Sequence, residues 1–179
     1  MKAKLIWAAG LAGIVVLVTT YGENVRATPQ FGFTGATIAT GRFGDIDVAN
    51  QVLREFGDLT PRKDLWLSLQ KTKGPSDLFV QSNEWELGGS TGWHTHPGHS
   101  LIIVTAGEVT AYDASCTPTV YAAGSNGQPN MGFVDPGGDH IHLLRNEGPV
   151  VARTIAVQLI PAGAARRINV EPAPDGCPV

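Results

Sequence analysis

From Thr34 to Ile160 the chain is cut by glycine and proline into short apolar segments, and this punctuation constrains its fold more than any other feature. Strand-type runs are Thr34–Gly41, Leu65–Gln70, Leu78–Leu87, Ser100–Thr105, Val109–Tyr112, Val120–Ala123, Phe133–Val134, His140–Leu144 and Val150–Ile160. Turn residues separate them, among them Gly74-Pro75, Ala106-Gly107 and Pro136-Gly137-Gly138. Many short strands between tight turns predict an all-β sandwich or closed barrel. One stretch reads differently. Val48, Val52, Leu53 and Phe56 fall on one helical face, which predicts one short helix ahead of the barrel. No internal repeat, low-complexity stretch or second-domain linker interrupts the chain. It divides into residues 28–64, a linker with a strand and helix extension, a barrel over 65–163, and a C-terminal tail over 164–179.

All five histidines fall into two clusters, His94-Thr95-His96 with His99, and His140-Ile141-His142. Side chains two residues apart share one face of a strand, so His94 and His96 point the same way. Neutral imidazole is a common metal ligand, and histidines from two strands can close one open site.

The N-terminus has the pattern of an export leader. Met1-Lys2-Ala3-Lys4 is a basic start, Leu5–Val18 is uncharged and apolar, and Val25-Arg26-Ala27 offers small residues at the positions a signal peptidase reads. Residues 1–27 are therefore expected to be a signal peptide, and the mature protein to be secreted or periplasmic. The alternative is a membrane anchor through an uncleaved leader. The leader carries Lys2, Lys4 and Arg26 against Glu23, so the net charge of −3 becomes about −5 without it. An acidic chain with no basic run argues against nucleic acid or an anionic membrane surface as partner. Export also makes a disulfide chemically possible. Cys116 and Cys177 both lie in loop-like sequence, and an intramolecular bridge would pin the tail to the barrel. Free thiols or an intermolecular link are the alternatives.

The two histidine clusters resemble the two motifs of the cupin superfamily. The first motif is a glycine, five residues, His-any-His, three or four residues, a glutamate, six residues and a glycine. Here Gly88 leads by five residues to His94-Thr95-His96, Ser100 stands at the glutamate position, and Gly107 closes the motif. The second motif appears as the Pro136-Gly137-Gly138 turn followed by His142 and Asn146, with one residue more than usual between turn and histidine. The resemblance covers roughly Leu65 to Pro161. It implies a single jelly-roll antiparallel β-barrel with a pocket inside, one divalent metal held by His94, His96 and His142, and a plausible homodimer.

Serine at the glutamate position changes the chemistry, because its hydroxyl stays protonated near neutral pH and ligates poorly. Three imidazoles alone suit zinc, iron, copper or nickel better than magnesium or calcium, and disfavour manganese relative to the full set. His99 would become a fourth ligand if Pro97-Gly98 formed a bulge that reversed its facing. His140 shares the parity of His142 and is expected beside the metal as an acid/base or supporting group. Two functions fit: a metal-dependent enzyme of dioxygenase, decarboxylase or isomerase type acting on a small polar molecule, or a non-catalytic barrel that binds a small ligand or the metal. A structural barrel with a degenerate site is a third. Fold does not choose among them.

Overall fold

The structure, a computed structural model, describes residues 28–56 and 62–178. The expected leader, residues 1–27, lies outside the described residues. In chain order the strands are β1 (Phe31–Phe43), β2 (Ile46–Phe56), β3 (Arg62–Thr72), β4 (Ser76–Ser90), β5 (His94–Thr95), β6 (Ser100–Ala106), β7 (Glu108–Asp113), β8 (Pro118–Ala122), β9 (Gly132–Asp135), β10 (His142–Arg145), β11 (Ala152–Pro161) and β12 (Ile168–Asn169). All strand pairings are antiparallel.

Ten strands form one nearly closed antiparallel barrel. One wall runs β1-β4-β11-β6-β9 and the other β8-β7-β10-β5-β12. The walls join where Arg145 of β10 pairs with Ser90 of β4. The core sits between them: Trp85 and Ala152 from one wall pack with Val109 and Leu144 from the other, with Phe33, Ala111 and Phe133 against this cluster. Strand alternation produces this core. In β6, Ser100, Ile102 and Val104 are buried while Leu101 and Ile103 face outward. Full burial of one large apolar side chain contributes about 1.5–3 kcal/mol, so a few such positions stabilise the barrel strongly.

The helix expected at residues 48–56 is not formed. That stretch is strand β2, paired with β3 from Ile46↔Thr72 to Phe56↔Arg62. Local helical periodicity loses to a long two-stranded ladder, a non-local interaction that local pattern does not reveal. The hairpin forms its own sheet, separate from the barrel. Residue 65 therefore does not mark where the barrel sheet begins. β1, from the stretch read as an extension, pairs along β4, whereas β3 belongs to the hairpin. The tail also enters the barrel, through β12 pairing with β5.

Asn146 of the second motif has a structural role. Its Nδ2 donates to the carbonyls of Trp85, Glu86 and Val150, and its Oδ1 accepts from Gly148 N–H. Cys116 and Cys177 are bridged, with Cα atoms 5.1 Å apart. No described helix is long and apolar enough to cross a membrane.

Candidate metal centre

His94 opens β5, His142 opens β10, and the two residues pair directly across the ladder. His96 follows β5 in the loop that Pro97 and Gly98 continue. That loop is clasped to the turn before β10: Gly138 N–H donates to the His96 carbonyl, and Thr95 Oγ1 donates to the Gly138 carbonyl. One potential ligand atom from each of His94, His96 and His142 lies within 4.8 Å of the others. The spacing on the sequence thus brings all three expected histidines together.

Two of these rings are held in a defined tautomer. His94 Nδ1 lies 2.8 Å from the Gly92 carbonyl and His96 Nδ1 contacts the Arg166 carbonyl. A carbonyl only accepts, so each Nδ1 carries the proton and each Nε2 presents a lone pair. Burial also keeps the imidazoles neutral. It holds His94 well below its ordinary range, assisted by the charges of His142, Arg167 and His96. It lowers His96 against the opposing pull of the Arg166 carbonyl and Asp135. It pushes His142 down to about 4, although Asp135 raises it. Neutral, oriented imidazoles around one point are the state a metal ligand requires, and the donor set fits a transition-metal dication.

Asp135 is the residue that sequence reading missed. It ends β9 and is 4% exposed. Its carboxylate lies 3.6 Å from His96 Nε2, 3.4 Å from His142 Nδ1 and 3.7 Å from His140 Nδ1. Its Oδ1 accepts from Gly137 N–H, while Oδ2 is buried without a hydrogen-bond partner. A signal existed. Asp135 shares strand parity with core-facing Phe133, whereas Val134 faces out, so an acid stands at an inward position.

His99 takes no part in this cluster. It lines a surface groove with Phe43, Ile46, Gln70, Leu78 and Leu101 on another side of the molecule. No reversal at Pro97-Gly98 turns it toward His94 and His96. His140 is half-exposed and lines the neighbouring pocket with Asp135 and His142, rather than the cavity shared by the three histidines. Ser100 is buried at the wall of that cavity.

The cavity has a volume of about 250 Å³ and lies between the two walls. Trp85, Ile102 and Leu144 form its apolar side, and Gln81, Asn83, Thr154 and Gln158 its polar side. Arg166 and Arg167 enter it from the tail. Burial lowers the Arg167 guanidinium to about 10, which leaves it charged at neutral pH. Arg167 donates to the Thr91 carbonyl and Asn169 Oδ1. Arg166 donates to Thr37 Oγ1 and stacks over Phe79, but its Nε is buried without a partner, as is Gln158 Oε1. Nothing in the tail sequence beyond the Arg-Arg pair itself signalled this role.

No family model matches the chain, and no curated protein sequence matches it either. Solved structures similar to it include a cupin superfamily protein from Desulfitobacterium hafniense, at 16% identity and a TM-score of 0.39, over 46% of this chain and 67% of that one. A polyketide cyclase from Streptomyces resistomycificus aligns at 17% identity and a TM-score of 0.42, over 54% of this chain and 64% of that one. A protein described as a predicted oxalate decarboxylase from Thermotoga maritima aligns at 17% identity and a TM-score of 0.37, over 49% of this chain and 83% of that one. In its two histidine motifs and in the architecture of its barrel, the chain resembles the cupin superfamily.

Proposed function

We propose that this is an exported metal-binding barrel that takes a small anionic molecule, such as a carboxylate, into the cavity beside the metal. The observation that carries the reading is the convergence of His94, His96 and His142, all buried or nearly so, in a cavity that two arginines also line. His94, His96 and His142 would hold the ion. A bound dication supplies Lewis-acid charge and open positions for oxygen donors. The protein's own residues do the rest. Arg167 and Arg166 offer a paired cationic contact for a carboxylate, and a guanidinium matches that group geometrically. Two unsatisfied buried atoms, Arg166 Nε and Gln158 Oε1, provide a donor and an acceptor for a polar ligand. Trp85, Ile102 and Leu144 add apolar lining, and a lower local polarity strengthens these contacts.

One observation favours a binding role without turnover. Among the described residues, the cavity lining contains no Asp or Glu, and its imidazoles are those of His94, His96 and His142. The lining therefore offers no acid or base independent of the metal set.

The test is metal analysis of the exported protein, followed by calorimetric titration with transition-metal ions and a panel of small mono- and dicarboxylates. One equivalent of metal is expected. His96→Ala should lose most metal affinity and His99→Ala none. Arg167→Met should weaken carboxylate binding at least tenfold with metal binding retained. Tight stoichiometric metal binding by His96→Ala would remove the site, and product formation from any bound carboxylate would decide for an enzyme.

A further inference from the structure

Resting on the metal-binding reading above, we propose that Asp135 supplies the carboxylate that the first histidine motif lacks, so that the ion is held by three histidines and one aspartate. Ser100 occupies the motif position where a glutamate would stand, and Ser100 and Asp135 are direct partners across the β6–β9 ladder. The acid has moved to the adjacent strand at the same level of the barrel. Partners across an antiparallel pair project to the same face with Cβ atoms about 5 Å apart, so Asp135 reaches the space that Ser100 is too short to fill.

The local chemistry supports a cation at this point. His96 Nδ1 faces the Arg166 carbonyl, so its Nε2 presents a lone pair. That lone pair faces Asp135 Oδ2 at 3.6 Å. Two acceptors facing each other in a buried site repel unless a cation lies between them. Two donors each about 2.1 Å from one ion in tetrahedral arrangement stand about 3.4 Å apart, close to this separation. Oδ2 is free to ligate because it has no other partner, while Gly137 N–H holds Oδ1 and fixes the carboxylate's orientation. His142 Nδ1 is likewise buried and unpartnered and lies 3.4 Å from the other oxygen, Oδ1; Asp135, His140 and His142 form a second set of donors within 4.8 Å of one another, and His142 is shared between it and the three-histidine set.

The aspartate also alters which ions fit. One negative charge beside the three neutral imidazoles halves the uncompensated charge of a dication and adds a hard oxygen donor. Manganese, disfavoured by three imidazoles alone, becomes suitable.

Titration of metal-stripped protein with Co2+, followed by calorimetry and by the visible d–d spectrum, tests the assignment. Asp135→Asn should weaken Co2+ at least tenfold and change the spectrum, as loss of an oxygen ligand requires. Ser100→Glu added to Asp135→Asn should return most of the affinity, by restoring the carboxylate on the original strand. If Asp135→Asn binds Co2+ as tightly as the parent with the same spectrum, the assignment is wrong and the three-histidine reading stands. If the parent itself binds no Co2+, both readings fall. Should Asp135→Asn fail to fold, a structure of the metal-loaded parent decides: an Oδ2–metal distance of about 2.0–2.2 Å supports the ligand, and one beyond about 3 Å overturns it.

Discussion

At the scale of single residues, the buried histidines couple metal binding to acid stability. Burial pushes His142 down to about 4 in the folded protein from its ordinary 6.5. Its folded value is depressed, so the unfolded chain takes up protons first as pH falls. The stability is therefore intact above about 6.5 and is lost progressively down to about 4. His94 and His96 shift in the same direction and add to the loss. Denaturant unfolding of the metal-free protein at stepwise pH should show this decline. A flat profile between those limits would mean the imidazoles are not buried neutral. His94, His96 and His142 were legible in the sequence because motif spacing is a local property, although His96 stands in the loop just past β5 and not on the strand whose parity pointed to it. Asp135 was not, because only the register of β6 against β9 brings it opposite Ser100. His99 misled for a related reason. A bulge at Pro97-Gly98 was conceivable from sequence, but Gly98 packs its Cα against the Leu159 backbone and the loop carries His99 to the outer groove.

At the scale of elements, the site depends on the clasp between the loop after β5 and the turn before β10. Gly137 has φ 69°, and a Cβ there would run into the backbone carbonyls of Gly98 and His96. Gly138 has φ 64° but open space around its Cβ position. The two glycines separate strain from collision. Gly138→Ala should cost about 1 kcal/mol for the left-handed backbone alone. Gly137→Ala should cost more, about 3 kcal/mol or above, and should also weaken metal binding by displacing His96. Thermal unfolding and metal titration of both variants check this, and equal effects would show that the clasp does not set the histidine geometry. The strands themselves were readable, since β-branched runs between glycine and proline turns are a direct imprint of the sheet. The hairpin β2–β3 was not. Val48 and Val52 satisfy a strand's alternation as well as a helix's spacing, and the outcome rests on an eleven-residue partner strand elsewhere in the chain.

At the scale of the whole molecule, the tail completes the cavity that the barrel alone leaves open. Its attachment is distributed. β12 pairs with β5, Val170 N–H donates to the Trp93 carbonyl, Trp93 Nε1 donates to the Pro178 carbonyl, and the Cys116–Cys177 bridge ties the end to the turn between β7 and β8. Arg166 and Arg167 ride on this segment, and the Arg166 carbonyl orients His96. The bridge spans 61 residues, so its loss should cost about 2–4 kcal/mol through the freedom returned to the unfolded chain. The functional consequence differs between ligands. The three histidines sit on the barrel and its clasped loop, whereas both arginines sit on the tail. Removing the bridge, by Cys116→Ser with Cys177→Ser, should therefore weaken carboxylate binding more than metal binding. Parallel titrations of the bridged and unbridged proteins measure the two affinities separately. An equal fall in both would mean that the tail supports the histidines as much as it supplies the anion contact. No change in either would mean that β12 and the Trp93 contacts hold the tail without the bridge. The expected split follows from where the residues stand: the barrel presents the metal ligands, and the tethered tail presents the charge that selects what binds beside them.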